Sequence, residues 1–329
     1  MRFLSGKFHA FVLTAPVRRV SVAVIGQEVG RRRMCGIVGL FLKNEALEPA
    51  LGGMFAEMLA VLSDRGPDSA GFAVYGDDGS SRTKVTLRLP QSGAALAALR
   101  ARLGCSAELI IRDSHVVLML PPDEEAEFLS WLGEAHPEVG VVGRGRRMEI
   151  YKEVGAPRSV AERFGLAGMT GTHAVGHTRM ATESSVTTKG AHPFSTGPDQ
   201  CLVHNGSLSN HNAVRRRLQR QGIAFETEND SEVAAGYLTW CLRKGASLEE
   251  ALQSSLSELD GFYTFVVGTE TGFAVLRDPI ACKPAVMAET DDYVAFGSEY
   301  RALAGLPGID AAQVFEPEPA TVYAWDRRG

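Results

Sequence analysis

Met34-Cys35-Gly36-Ile37-Val38-Gly39 opens the part of this chain on which its interpretation depends. The small and β-branched residues after Cys35 predict a buried strand over Cys35–Leu42, with the cysteine at its start. If Met34 is the true initiator and is removed, Cys35 carries a thiol and a free α-amine. An α-amine has a pKa of about 8, so it can accept the thiol proton near neutral pH. Because the thiolate is the nucleophile, the stretch predicts a catalytic cysteine, with a small buried core cysteine as the alternative.

The composition is that of an ordinary globular protein. The chain has 329 residues, of which 45% are hydrophobic and 22% are charged, and its net charge is −5. This charge gives no basic surface of the kind that binds nucleic acid, and no apolar run approaches the ~18 residues of a membrane span. The five cysteines form no CxxC pair and no metal-ligand spacing. We therefore expect reduced thiols, a cytoplasmic location and neither a metal nor another cofactor.

Residues 1–34 differ from the rest of the chain. They are rich in arginine, end in Arg31-Arg32-Arg33 before Met34, and contain a single acid, Glu28. Phe8 to Ala15 is a weak signal-peptide core, and no clean cleavage site leads into Cys35. Three interpretations stay open: a misassigned start with Met34 as the true initiator, which we favour, a propeptide, or a targeting peptide. In each of them this segment lies outside the folded domain.

Hydrophobic periodicity divides the remainder into two patterns. Residues 35–81 and 156–329 combine strands with amphipathic helices such as Pro49–Leu62, and we assign them to one discontinuous domain. Residues 82–155 predict a strand, a helix, two strands, a helix and a last strand at Met148–Tyr151. This βαββαβ order predicts an inserted α+β module of the ferredoxin-like type, with a loose decoration of the main fold as the alternative.

Four ordered segments meet the needs of one reaction. Cys35 supplies a nucleophile, and Gly176–Thr182 carries an arginine at a strand end. His204-Asn205-Gly206 places an amide side chain beside a glycine, and Glu228–Glu232 opens a helix with acids. An amide side chain and a glycine N–H suit an oxyanion, for which each donor is typically worth ~3–4 kcal/mol of the barrier. Taken singly, an Asn-Gly pair is a common turn and a lone Arg or Asp is usually a surface ion pair.

The order Cys35, HTRxAT (177–182), AHPF (191–194), HNG (204–206) and NDSE (229–232) resembles the class II, or Ntn-type, glutamine amidotransferases. That family includes the glutaminase domains of glucosamine-6-phosphate synthase, amidophosphoribosyltransferase, asparagine synthetase and glutamate synthase. The resemblance covers Cys35–Tyr75 and Thr172–Leu303, and residues 82–155 have no counterpart in the compact members. It is nearest to the stand-alone glutaminase subunits of the split glutamate synthase and N-methylglutamate synthase type. It implies an Ntn-hydrolase four-layer αββα sandwich of two antiparallel sheets, with the small α+β module inserted.

The resemblance also implies a site for L-glutamine. Its catalytic residues are Cys35, Asn205 and Gly206, and its substrate-binding residues are Arg179, Thr182, His192 and Asp230. The chemistry agrees for two of them, because the glutamine carboxylate calls for a bidentate cation such as Arg179 and its ammonium for a carboxylate such as Asp230.

Three further residues are expected to support or build the site: Arg65, Asp68 and His204, the last of them facing away from the oxyanion. A packed His-Pro corner remains an equal alternative for His192. The chain departs from its relatives at Met180, where an aromatic residue is frequent, and at Glu183, where some relatives carry His or Gly. Both changes are expected to alter the rim of the pocket without removing a group that the chemistry needs.

We therefore expect hydrolysis of glutamine through a Cys35 γ-glutamyl thioester. Nothing after Leu303 is long enough to be a synthase domain, so the ammonia is expected to go to a separate synthase subunit, flavin-dependent as in the glutamate synthase group. Two alternatives stay open. One is a self-processing Ntn amidohydrolase of another amide, and the other is a catalytically silent regulatory subunit.

Overall fold

The structure is a computed structural model that describes residues 34–76, 79–91, 93–104, 108–180 and 186–327. Its strands, in chain order, are β1 (Gly36–Leu42), β2 (Ser69–Tyr75), β3 (Thr83–Arg88), β4 (Leu109–Arg112), β5 (His115–Leu120), β6 (Gly140–Gly145), β7 (Met148–Val154), β8 (His173–Arg179), β9 (Phe194–Gly197), β10 (Gln200–Leu208), β11 (Gly261–Gly268), β12 (Gly272–Arg277), β13 (Val286–Glu289), β14 (Tyr293–Gly297), β15 (Gln313–Phe315) and β16 (Val322–Asp326).

The helices connect these strands or cover the sheets. They are α1 (Leu51–Val61), α2 (Ala94–Leu103), α3 (Glu125–Ala135), α4 (Pro157–Phe164), α5 (His211–Gln219), α6 (Asp230–Arg243) and α7 (Leu248–Glu258). Short 3₁₀ helices span Glu45–Ala50, Leu166–Gly168, Tyr300–Ala302 and Ile309–Ala311. In the described ranges, no helix is both long enough and apolar enough to cross a bilayer.

Two antiparallel sheets lie face to face and form the centre of the fold. The larger one has the strand order β15-β13-β14-β1-β8-β2-β7, and the smaller one has the order β16-β12-β11-β10-β9. Their facing surfaces bury one apolar cluster, because alternate side chains of each strand point to the same face of its sheet. The members of this cluster include Ile37, Phe41, Tyr75, Val175, Val203, Val266, Phe273, Val275, Met287 and Phe296.

Helices cover the outer face of each sheet. Helices α1 and α4 pack on β1, β2 and β8 of the larger sheet, where Phe55, Leu59 and Phe164 are buried. Helices α6 and α7 pack on the smaller sheet, and α5 packs on α6. The layers therefore follow the order helix, sheet, sheet, helix, which confirms the αββα sandwich expected from the resemblance.

A third antiparallel sheet, with the order β4-β5-β3-β6, is built from residues 83–145. Helices α2 and α3 pack on one of its faces, where Leu87, Leu99, Leu118 and Phe128 are fully or almost fully buried. Its elements follow one another as βαββαβ, the order expected for the inserted module. Its other face contacts the main body, since the Ile150 amide donates to Thr86 Oγ1 at 3.4 Å.

The expected last strand of this module is wrong. Met148–Tyr151 belongs to β7, which pairs with β2 in the larger sheet, and the strand that completes the four-stranded sheet is β6. Three glycines in Gly140–Gly145 interrupt the apolar alternation from which strands are predicted. One of them has a packing reason, because a Cβ on Gly143 would lie 2.9 Å from Ile150 Cδ1.

Candidate active site

Cys35, Arg179 and Asn205 lie at one end of the space between the two main sheets. Cys35 immediately precedes β1 and continues the face of Ile37, which belongs to the inter-sheet core. By the same alternation, Arg179 ends the inter-sheet face of β8, and Asn205 lies on the inter-sheet face of β10. Three strands that are distant in sequence therefore bring a thiol, a guanidinium and an amide to the same end of the sandwich.

The main chain of Cys35 is held by two side chains. Its carbonyl oxygen accepts hydrogen bonds from Arg65 Nε at 3.2 Å, from Arg65 Nη2 at 3.1 Å and from Asn205 Nδ2 at 3.2 Å. Arg65 is held in turn by an ion pair with Glu299. Burial alone would raise the pKa of Glu299, but hydrogen bonds from Arg65 and Arg301 bring it below its ordinary value. The result is a fixed orientation for the backbone of the candidate nucleophile.

The thiol of Cys35 is partly buried and requires a base. Its sulfur lies 3.7 Å from the Met180 carbonyl oxygen, to which it donates. Burial raises the pKa of the thiol, although the charges of Arg179 and Lys283 oppose the change. Since the thiolate is the reactive form, a group that removes this proton is needed at neutral pH.

Gly206 cannot be replaced by a larger residue without moving the backbone. Its φ of +155° lies in the region that favours glycine, and a Cβ would be 2.0 Å from the Phe262 carbonyl oxygen. Asn205 beside it is 4% exposed and uses one proton of Nδ2 for the Cys35 carbonyl. The second amide proton is the one that can serve a ligand in the inter-sheet space.

Asp230 lies beside the end of β10, and His204 contacts it from the face of that strand opposite Asn205. Asp230 is the first residue of α6, and its Oδ2 accepts a hydrogen bond from the Leu208 amide at 2.8 Å. His204 Nδ1 lies 2.8 Å from Ser231 Oγ and 3.9 Å from Asp230 Oδ1. Burial lowers the pKa of His204, although Asp230 opposes this. His204 thus faces the helical layer, on the opposite side of the strand from Asn205.

His192 is buried against β8. Its ring stacks on that of His177, with the centroids 4.0 Å apart, and its peptide bond to Pro193 is cis. Burial lowers the pKa of His192 far below its ordinary value, and the neighbouring charges of Lys152 and Arg179 add to this effect. Among the described residues, neither ring nitrogen has a hydrogen-bond partner. A buried neutral imidazole with both nitrogens unused can therefore contact a bound ligand.

The remaining predicted residues stand as follows. Asp68 lies beside Arg179, since its amide donates to the Arg179 carbonyl at 3.1 Å. Arg179 is 7% exposed. Thr182, like Glu183, lies outside the described residues.

Two cationic side chains that lie near the site, Lys283 and Lys152, are not among the residues predicted from the sequence. Lys283 acts on the Cys35 thiol through its charge, and its Nζ lies 5.1 Å from the centroid of the Phe262 ring. Lys152 donates to the carbonyls on both sides of His192. The alternation of Met148, Ile150 and Lys152 could have indicated an inward lysine, because the first two belong to the inter-sheet core.

The structure gives no support for a metal centre among the residues it describes. They contain no group of three or more His, Cys, Asp or Glu side chains that could hold an ion. His173, on the same strand face as His177, is stacked on Tyr75 with the ring centroids 4.1 Å apart. Burial lowers its pKa to about 3.

Comparison with known proteins agrees with the geometry. A family model described as a glutamine amidotransferase domain matches residues 177–305. Over 139 residues the chain is 35% identical to the glutamine–fructose-6-phosphate aminotransferase of Vibrio vulnificus (strain YJ016), which is 42% of this chain and 23% of that protein. The solved glutamine phosphoribosylpyrophosphate amidotransferase from B. subtilis, in complex with ADP and GMP, shares the fold. The TM-score is 0.57 at 22% identity, over 90% of this chain and 48% of that one.

A further relative aligns over nearly its whole length. The chain is 57% identical over 298 residues to the glutamine amidotransferase-like protein GlxB of Rhizobium meliloti (strain 1021). The aligned region is 90% of this chain and 99% of that protein. On this similarity, and on the fold that surrounds Cys35, the chain belongs to the class II glutamine amidotransferase family.

Proposed function

We propose that this protein hydrolyses L-glutamine to glutamate and ammonia through a thioester on Cys35. The observation that carries the proposal is the shared position of Cys35 and Asn205. The Asn205 amide holds the Cys35 carbonyl at 3.2 Å, so one rigid unit contains the nucleophile and an oxyanion donor. A surface turn at Asn205-Gly206 would have no reason to be buried against the backbone of Cys35.

The chemistry needs a mature chain that begins at Cys35. Its free α-amine takes the thiol proton, and the thiolate attacks the side-chain amide carbon of glutamine. The second Asn205 amide proton and the Gly206 N–H stabilise the oxyanion. Collapse breaks the C–N bond, and the ammonium at the chain end returns its proton to the departing nitrogen, which leaves as ammonia. Water, deprotonated by the same amine, then releases glutamate from the thioester.

Two charged residues fit the amino acid end of glutamine. Arg179 offers two parallel N–H groups to the carboxylate. Asp230 offers its carboxylate to the ammonium, while the Leu208 amide and the first turn of α6 stabilise its negative charge. Thr182 and His192 complete the proposed pocket, and Arg65, Asp68 and His204 hold the residues around it.

We further propose that the ammonia passes to a separate synthase subunit, flavin-dependent as in the glutamate synthase group, and that both act in the cytoplasm. The Vibrio aminotransferase supports an acceptor outside the aligned region, since only 23% of that larger enzyme is matched. Copurification from the native host tests this step. A flavin-containing partner is the expected result, and isolation of the chain without any synthase would contradict it.

The glutaminase step is tested with three chains. The first begins at Met34, so that methionine removal exposes Cys35. The second has one alanine inserted between Met34 and Cys35, which keeps the thiol and removes its α-amine. The third carries Cys35→Ser. Ammonia release from L-glutamine is measured for each, together with the intact mass after reaction with a diazoketone analogue of glutamine.

We expect ammonia release and a single adduct on Cys35 with the first chain alone. Equal activity of the alanine-extended chain would exclude the α-amine as the base. If all three chains are folded and inactive, the silent regulatory subunit becomes the better account. Hydrolysis of another amide but not of glutamine would favour the self-processing amidohydrolase.

A further inference from the structure

Three residues form one row across the larger sheet and face the space between the sheets. In the register of β7, β2 and β8, Lys152 lies opposite Gly71, and Gly71 lies opposite His177. Directly opposed residues of antiparallel strands point to the same face. Met148 and Ile150, which precede Lys152 with the same alternation, are members of the inter-sheet core. Because Gly71 has no side chain, this row leaves a gap between the side chains of Lys152 and His177.

The segment Ala191–Pro193 lies in this gap. A Cβ on Gly71 would be 2.2 Å from the His192 carbonyl oxygen, so only a glycine lets the segment cross the sheet here. On one side, the His177 ring stacks on the His192 ring at 4.0 Å. On the other side, Lys152 Nζ donates to the Ala191 carbonyl at 2.9 Å and to the Pro193 carbonyl at 3.2 Å. His192 is thus held from both sides by neighbours in one sheet row.

Burying the Lys152 ammonium at this position costs free energy. It is 8% exposed, and burial lowers the pKa of its ammonium to about 8 even though Glu226 and Glu232 oppose the change. A third carbonyl, of Lys189 at 3.4 Å, and the Phe194 ring, 4.8 Å from Nζ, complete its surroundings. A buried charge is weak support for stability, since an apolar side chain of similar volume is often as good. A methionine at this position, however, could not donate hydrogen bonds to the two carbonyl oxygens.

We propose that Lys152 is a positioning residue, which holds the His192 imidazole in the glutamine pocket through the backbone carbonyls on either side of it. This inference rests on the proposed function, because it takes His192 as part of the glutamine site. It adds that the strand following the four-stranded sheet controls the affinity for glutamine, although Lys152 itself touches no substrate.

Lys152→Met tests the proposal, and Lys84→Met is its matched control. Lys84 is a buried lysine, 4% exposed, that also donates to a backbone carbonyl, that of Gly76 at 3.3 Å. Lys84 lies in β3 and forms an ion pair with Glu149 at 3.1 Å. Glu149 belongs to β7, as Lys152 does, but its side chain is on the opposite face of that strand. Both variants remove a buried ammonium that anchors β7. Of these two ammonium groups, that of Lys152 also holds the backbone on either side of His192.

We expect Lys152→Met to raise the glutamine KM about tenfold or more while kcat stays within about threefold, because binding is lost and the thioester chemistry is kept. Lys84→Met should leave KM within about twofold. In a His192→Ala background, Lys152→Met should add no more than about twofold to KM, since a residue that acts through His192 has nothing left to position. If Lys152→Met does not fold, Lys152→Leu, which also lacks a donor, is held to the same criteria.

An unchanged KM in Lys152→Met, an equal rise in Lys84→Met, or a full rise on top of His192→Ala would each overturn the proposal. A crystal structure of the Lys152 variant gives a readout independent of turnover, in which we expect the His177–His192 stacking to be lost. Retained stacking would overturn the positioning role even if glutamine hydrolysis is established. Absence of glutaminase activity in a folded chain that begins at Cys35 and carries no substitution would instead overturn the proposed function.

Discussion

The end of the sandwich around Cys35 and the four-stranded sheet of residues 83–145 bury different kinds of side chain. The four-stranded sheet buries leucine, valine and phenylalanine against its two helices, and its ion pair between Arg144 and Glu125 is partly exposed. The site end buries ionisable and amide side chains, each less than 9% exposed: Arg65, Lys152, His177, Arg179, His192, His204 and Asn205. Burying polar groups costs stability unless partners compensate. The four-stranded sheet also buries Lys84 and His115 on the face away from its helices, but more of this cost falls where the proposed chemistry takes place, so the two regions should respond differently to substitution.

The largest expected effect is at the site. Cys35→Ser should lower ammonia release more than about a thousandfold, because the weaker nucleophile forms no thioester. The free energy of unfolding should change by less than about 1 kcal/mol, since the serine side chain is nearly isosteric. Steady-state assays and urea denaturation measure the two quantities. Cys282→Ser, at an exposed cysteine, is the control and should change neither; a similar loss of activity in both variants would contradict the assignment.

The opposite pattern is expected in the four-stranded sheet. Leu118 is fully buried between the sheet and its helices, so Leu118→Ala should lower the free energy of unfolding by about 2–5 kcal/mol. The glutamine KM of the folded variant should stay within about twofold of the original. A KM that rises in parallel with the loss of stability would show that the comparison between the two regions is wrong.

A smaller effect is expected from Arg179→Lys. The substitution keeps the charge and removes the planar fork, so the glutamine KM should rise about tenfold to a hundredfold with little change in unfolding. Arg144→Lys is the matched control, because that arginine pairs with Glu125 in the four-stranded sheet. An unchanged KM in Arg179→Lys would remove this residue from the pocket.

The effect that is smallest near neutral pH is shared by both regions and grows as the pH falls. Burial lowers the pKa of His115, in the four-stranded sheet, and of His177, at the site, to about 3. The unfolded chain binds these protons near pH 6.5, so stability is full above that pH and is lost as the pH falls toward 3. His115→Phe should reduce the slope of unfolding free energy against pH by about 1.4 kcal/mol per unit in this window. Identical slopes, measured by urea denaturation at several pH values, would contradict it.

The sequence predicts best where local and tertiary signals agree. The composition of Ala94–Leu103 is enough to indicate the helix that it forms, because alanine, leucine and arginine all favour a helix. Ser247 and Glu250 form a capping box at the start of α7, and the spacing of a serine and an acid three residues later favours this pattern. The position of Cys35, Arg179 and Asn205 at one end of the sandwich follows from the resemblance and from strand alternation, since each continues an inward face.

The features that the sequence analysis missed depend on contacts with residues that are distant in sequence. The glycines of β6 are needed for its close contact with Ile150, but they weaken the local strand signal. The strand Gln313–Phe315 has only three residues and is defined by its pairing with β13. The alternation after Met148 and Ile150 indicates that Lys152 points inward, but its neighbours Gly71 and His177 are known only from the pairing with β2 and β8.

The account depends most on the amine that shares a residue with the nucleophilic sulfur. Intact-mass measurement of active protein purified from its native host determines whether that amine exists. We predict a chain whose first residue is Cys35 and which releases ammonia from glutamine. A fully active chain that still carries any residue before Cys35 would contradict the mechanism proposed here.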